Sequence, residues 1–196
     1  MAHLTKNDIE HGLQSIDQRA KLAGVLIELS VYGGAVLSLV FNAREITRDV
    51  DAVLSGDPTL LRRFAAEVAE EQGWPGDWLN DGVKAYRSSK ERMRLYEKFS
   101  AASGGGLRVI MPTPEYLFAM KCMAMRPEGI EGSHDISDIE LLADAAMIED
   151  AAHALSLIEQ FYPASRIPPK VSLGVEEIMQ RVVARRLESG GTSPEL

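Results

Sequence analysis

The chain has 196 residues, 45% of them hydrophobic and 26% charged, and a formal net charge of −8, an ordinary globular composition with length enough to bury a core unaided. No run approaches the roughly 20 apolar residues of a bilayer span, the polar first residues lack the apolar segment of a secretory signal, and Cys122 is the single cysteine, so an intrachain disulfide is excluded and a cytoplasmic protein without membrane association is expected. The negative balance speaks against broad, sequence-independent binding to nucleic acid, which draws on many Lys and Arg contacts to phosphate.

Asn7 and Asp8 can cap a helix whose apolar face is Ile9, Leu13, Ile16 and Ala20. The apolar run 25–32 stops at Gly33-Gly34, and its latter part reads as a strand. Residues 35–43 read as a short buried helix and 47–54 as a second strand. Asp57-Pro58 is a cap and first-turn signal. The helix after it carries Leu60, Leu61, Phe64, Ala65 and Val68 on one face and ends at Gly73. Residues 73–89 look like loop, and 91–99 and 107–111 like two strands joined through Ala-Ser-Gly-Gly-Gly. Thr113-Pro114 opens a helix to about 125, Ser133 one to about 147, and a third covers about 150–161. Beyond Pro163, Pro168 and Pro169, a last helix puts Val175, Ile178, Met179 and Val182 on one side. The expected architecture is α+β: a small mixed-sheet core over 1–112, a helical portion packed on it over 113–188, and a disordered tail over 189–196.

Residues 32–51 carry the chemistry. On one strand, Asp49 and Asp51 point the same way, about 6.6 Å apart at their Cα atoms, while Val50, Ala52 and Leu54 face a core. Adjacent carboxylates repel unless a cation lies between them, so the pair suits a hard metal such as Mg²⁺ with phosphates. A solvated edge is the other reading of such a pair. Gly33-Gly34 sits at a strand-to-helix junction, where free N–H groups favour anions and glycine permits close approach; a tight turn is the plainer alternative. Arg44 could hold a phosphate or pair with a surface carboxylate, and Arg48 faces away from Asp49. Lys121 lies among Leu117, Met120 and Ala124, where a lysine is costly to bury without a phosphate or carboxylate. Asp135 and Asp138 are neighbours on one helix face and could pair with it; a structural ion pair or helix-start acids would look the same. Arg87, Lys90, Arg92, Arg94 and Lys98, interleaved with Tyr86 and Tyr96, form a basic run that reads as a solvated strand face or a local contact for RNA. His3, His11 and His153 lack zinc spacing, His134 reads as a surface residue, and Cys122, the methionines at 111–125, Trp74 and Trp78 read as packing residues.

Taken together, Gly33-Gly34, Arg44, Thr47 and Asp49-Val50-Asp51 resemble the signature of the DNA polymerase beta-type nucleotidyltransferase superfamily, and more narrowly its AbiEii-like bacterial group. There a glycine pair precedes an Arg-x-x-Thr-x-Asp-x-Asp segment, a later helix carries a lysine, here Lys121, and an aspartate-rich helix start follows, here Asp135 and Asp138. The likeness runs from about 28 to 145, with 162–177 continuing it. One departure is visible: active members add a third carboxylate from a neighbouring strand, and 107–111 holds no acid. Asp81, Glu97 or one of the helix aspartates would have to serve.

The resemblance implies an enzyme that moves a nucleoside monophosphate from a nucleoside triphosphate to a hydroxyl. Gly33, Gly34, Arg44, Thr47 and Lys121 would bind the nucleotide. Asp49 and Asp51 would hold Mg²⁺ or Mn²⁺, and Lys121, Asp135 and Asp138 would complete the catalytic set. RNA or tRNA, a protein or a small molecule would be the acceptor, and a toxin–antitoxin or defence setting, with a cognate antitoxin protein as partner, goes with the group. The missing third acid motivates a second expectation, a degenerate module that binds nucleotide or a protein without turnover.

Overall fold

The computed structural model describes residues 3–43, 45–55, 58–102, 104–126 and 129–190, the side chains of 129–133, 189 and 190 excepted. Arg44, Asp57 and the last six residues of the expected tail therefore lie outside the described residues. The chain forms two compact units: 1–85 with 93–112, and 86–92 with 113–196. Residues 86–92, which the sequence reading placed with the core, thus belong to the second unit. The fold class is α+β, as expected.

In the first unit, β1 (Leu4–Thr5) leads into α1 (Lys6–Leu22). The cap of α1 is Thr5, not Asn7 or Asp8: the Thr5 hydroxyl accepts the Asp8 N–H, and the Asp8 carboxylate accepts the Thr5 N–H at 2.8 Å. This reciprocal capping box satisfies two donors that the first turn leaves open. Next come β2 (Leu26–Val31), α2 (Gly33–Phe41), β3 (Ile46–Thr47) and β4 (Val50–Ser55). Then follow α3 (Pro58–Gln72), β5 (Leu79–Asn80), a 3-10 turn (Gly82–Tyr86), β6 (Met93–Ser100) and β7 (Gly106–Pro112). Five strands make one mixed sheet in the order β5-β4-β2-β7-β6. β4 runs antiparallel to β2, β2 parallel to β7, β7 antiparallel to β6, and β5 parallel to β4. β1 and β3 pair separately.

Two differences from the sequence reading bear on the site. The strand expected over 47–54 is broken: β3 pairs with β1, β4 starts at Val50, and Asp49 lies in the bend between them. The Thr47 hydroxyl donates to the Asp49 carbonyl at 3.2 Å, which holds that bend. The loop expected over 73–89 contains β5, whose Leu79 and Asn80 stand opposite Val50 and Asp51. Trp78 anchors it. Its indole is fully buried, donates to the Ala65 carbonyl at 2.9 Å, meets Trp74 edge-on at 5.2 Å, and fits because Gly12 on α1 carries no side chain. A methyl group at Gly12 would come within 2.7 Å of the Trp78 ring.

Asp17 closes the other end of the core. It is buried, accepts the Leu107 N–H at 2.8 Å and binds Lys21 at 2.7 Å. One α1 carboxylate thereby fixes the start of β7, whose first residue, Gly106, is the last of the glycine run 104–106.

The second unit is helical: α4 (Pro114–Ala124), α5 (Gly129–Ala145), α6 (Ala151–Phe161), a 3-10 turn (Ala164–Arg166) and α7 (Pro169–Gly190). Thr113 caps α4 and Asp150 caps α6. α5 begins at Gly129, earlier than the expected Ser133. Val171, Val175, Ile178, Met179 and Val182 are buried along α7. Segment 86–92 is sewn onto this unit. The Tyr116 hydroxyl accepts the Ser88 N–H at 2.9 Å and donates to Glu91 at 3.1 Å. The Tyr162 hydroxyl donates to the Tyr86 carbonyl, and Ser88 Oγ to that of Phe161. Burial pushes both tyrosine hydroxyls well above their ordinary acidity range, so they stay donors. No helix among the described residues is long and apolar enough to cross a membrane.

Candidate functional site

The site grows from the junction of β2 and α2. Val31 pairs with Ala52, and the Tyr32 N–H continues the ladder to the Asp51 carbonyl at 2.8 Å. The chain then turns sharply into α2 at Gly33, whose φ of +64° is one that a residue with a side chain rarely takes. Because α2 starts there and β4 runs antiparallel beside β2, the Asp51 carboxylate lies over Gly33. A methyl group on Gly33 would stand 2.6 Å from Asp51 Oδ2. Glycine is thus required twice, for the turn and for the carboxylate. Tyr32, the residue before α2, makes no side-chain capping bond to the helix, so no side chain of its own competes for the first amides of α2.

Asp49 reaches the same place by another route. Its Oδ2 accepts from Asn80 Nδ2 at 2.7 Å, and Asn80 Oδ1 accepts the Gly82 N–H at 2.9 Å. The Cβ position of Gly82 lies 3.1 Å from Asn80 Oδ1 and 3.7 Å from Asp51 Oδ1. Both acids therefore border one turn, built by Asn80 and Gly82 on β5 and its continuation. Asn80 carried no motif in the sequence. Its only signal was the Asn-x-Gly spacing after a tryptophan, inside a stretch that reads as loop.

The oxygen donors at Asp49 and Asp51 are of the hard type that Mg²⁺ and Mn²⁺ prefer. These residues fit one divalent ion shared with a ligand's oxygens. Among the described residues of the first unit, neither Asp81 nor Glu97 supplies a third carboxylate. Glu97 is on β6, three strand positions from β4, about 14 Å away at the usual strand spacing. Asp81 is exposed and bound to Lys84, whose ammonium holds its carboxyl below the usual range. Asp81 also lines a cavity of about 340 Å³ with Ala52 and Leu54, the β4 residues that alternate with Asp51. Among the described residues, no group of three or more His, Cys, Asp and Glu could hold a metal ion.

The remaining residues separate into three groups. Thr47 is buried and its hydroxyl is engaged by the Asp49 carbonyl; in this structure it shapes the bend that presents Asp49. Gly34 is the second residue of α2. Lys121, Asp135 and Asp138 come together within the helical unit. Lys121 Nζ lies 2.7 Å from Asp138 and 3.7 Å from Asp135, with side-chain exposures of 14%, 6% and 5%. Arg126, which the sequence reading missed, binds Asp135 through its Nε at 3.0 Å. Two nearly buried acids thus meet two cations. His134 is exposed and Cys122 buried, burial pushing the thiol far above its ordinary range.

The basic run is divided between the two units. Arg87, Lys90 and Arg92 belong to the second unit, and Arg94 and Lys98 to the first. Arg87 is clamped by Glu91 at 2.7 and 2.8 Å, Arg92 donates to Gln160 at 3.0 Å, and Lys98 binds Glu10.

Residues 13–95 match a family described as nucleotidyl transferase of unknown function (DUF2204). The matched span runs from α1 into β6 and includes the glycine bend, both acids and Asn80. This supports the nucleotidyltransferase likeness drawn from the sequence. No curated protein and no solved structure matched the chain.

Proposed function

We propose that the chain is a metal-dependent nucleotidyltransferase that moves a nucleoside monophosphate from a nucleoside triphosphate to a hydroxyl, releasing pyrophosphate. The observation that carries this reading is the Asp51 carboxylate seated over Gly33 at the start of α2, with Asp49 tethered to the adjoining turn. A helix start without a side-chain cap from the preceding residue is a place for phosphate oxygens. Gly33 and Gly34 present the backbone there. Asp49 and Asp51 bind Mg²⁺ or Mn²⁺, which when bound neutralises phosphate charge and lowers the pKa of the attacking hydroxyl. Lys121, Asp135 and Asp138 form an ion cluster within the helical unit, and a part for them in the reaction follows from the resemblance alone. Arg44 adds a further phosphate contact and Thr47 holds Asp49 in place. The hydroxyl belongs to RNA or tRNA, a protein or a small molecule; a toxin–antitoxin or defence role with an antitoxin partner follows from the AbiEii-like resemblance alone.

A second reading, a degenerate module that binds nucleotide or a partner without turnover, is favoured by one observation: Asp49 is joined by an amide, Asn80, and among the described residues no group of three or more His, Cys, Asp and Glu could hold a metal ion. One experiment separates the two. Pyrophosphate release is measured with labelled triphosphates, Mg²⁺ or Mn²⁺, and bulk RNA, for the wild type and for Asp49→Asn and Asp51→Asn. Release that both substitutions abolish supports the enzyme. Triphosphate binding without release supports the nucleotide-binding module, and no triphosphate binding at all removes the enzyme and leaves only a module that binds a partner.

A further inference from the structure

Asn80 occupies a position whose chemistry is legible from its neighbours. Opposite Asp51 across the β4–β5 ladder, it donates through Nδ2 to Asp49 Oδ2 at 2.7 Å and accepts through Oδ1 from Gly82 N at 2.9 Å. A carboxylate oxygen only accepts and a backbone N–H only donates, so both bonds fix the amide in one orientation. An Asp at this position would bring two carboxylates together without a proton to share. The chain instead spends a neutral donor on Asp49, and β5 is pinned two residues earlier by the buried Trp78.

We propose that Asn80 is a positioning residue that takes the place of a third acid without its charge. By occupying Oδ2 of Asp49, it leaves Oδ1 as the atom that Asp49 offers to a divalent ion. By adding no charge, it leaves a site of two carboxylates, too weak to retain that ion alone. Mg²⁺ is commonly bound by one or two carboxylates together with substrate phosphates, and here the triphosphate supplies the missing negative oxygens. The ion and the nucleotide then enter as a pair, and the empty protein does not hold the metal in advance. This rests on the nucleotidyltransferase reading and adds an order of binding to it.

The test uses Mn²⁺ as the probe and water-proton relaxation enhancement, which reports Mn²⁺ on the protein, so it needs no turnover. Wild type, Asn80→Asp, Asn80→Ala and Asp49→Asn are titrated with and without a non-hydrolysable triphosphate. Since ligand charge sets divalent-ion affinity, Asn80→Asp is expected to bind Mn²⁺ without nucleotide about tenfold or more tightly than wild type. Asn80→Ala, which frees Asp49 but adds no charge, is expected to lack that gain and to lose about tenfold in triphosphate-dependent binding. Wild type that holds Mn²⁺ equally well with and without triphosphate overturns the proposal, and so does an Asn80→Asp indistinguishable from Asn80→Ala. The nucleotidyltransferase reading fails separately, and takes the proposal with it, if the triphosphate brings no more Mn²⁺ to wild type than to Asp49→Asn.

Discussion

Replacing Gly33 by alanine tests the heart of the site, and Gly24 supplies the matched control. Both glycines hold left-handed backbone, at φ +64° and +65°. The surroundings differ: a methyl group on Gly24 would meet nothing within 4 Å, whereas on Gly33 it would stand 2.6 Å from Asp51 Oδ2. The backbone penalty is shared, about 1–2 kcal/mol for each alanine. For a chain of this length that is a fall in Tm of about 2–8 °C in both variants. The second effect belongs to Gly33→Ala alone. Ordinary contact begins at 3.4 Å, so the Asp51 carboxylate must retreat by about 0.8 Å, and a displacement near 1 Å in a reacting constellation costs up to about a hundredfold. Differential scanning calorimetry and pyrophosphate release, run on both variants, separate the two contributions. The expected result is equal thermal loss with turnover reduced about 10–100-fold only in Gly33→Ala. Gly33→Ala with wild-type turnover, or Gly24→Ala losing as much turnover as Gly33→Ala, would refute the argument that the glycine bend and Asp51 act together.

Two further expectations concern the supports of the fold. Lys121→Met removes the ammonium 2.7 Å from Asp138, and breaking a nearly buried pair from one side costs up to about 3–5 kcal/mol. Adding Asp138→Leu is expected to return part of that stability, and urea unfolding of the two single variants and the double variant checks it; strictly additive losses would show that the pair is not coupled. Asp17→Ala leaves the Leu107 N–H buried without its acceptor and is expected to cost about 1–3 kcal/mol. Asp17→Asn keeps an acceptor and loses less, again read by urea unfolding.

What the sequence revealed and what it hid divide along the range of the forces involved. The bend at Gly33, the helix opening at Thr113-Pro114 and the apolar face of α7 rest on local chemistry, and each stands where the residues place it. The first helix begins by a local rule too, yet with Thr5 and Asp8 in the two capping roles instead of Asn7, because a threonine three residues before an acid can satisfy both ends at once. The break in the second strand was hidden, since it depends on Leu4 drawing Thr47 into a separate pair. β5 was hidden for a similar reason. Two residues have no periodicity, and they form a strand only because Trp78 is held by Gly12 and Ala65 from distant parts of the chain. Asn80 inherits its place from that anchor, and the Asn-x-Gly spacing beside it marks a turn without revealing the strand pairing. The second unit's claim on 86–92 likewise depends on Tyr116, Phe161 and Tyr162, which are 25 or more positions away.

That last arrangement has a practical consequence. The chain passes from one unit to the other after Ala85, back after Arg92, and across again after Pro112, so no single cut yields both units whole. A fragment ending at 112 would keep Tyr86, Ser88 and Glu91 but lose every tyrosine and carbonyl that engages them, while a fragment starting at 113 would leave two buried hydroxyls without their acceptors. Gene truncation is therefore a poor tool for assigning activities to halves of this molecule, and point substitution is the sound one.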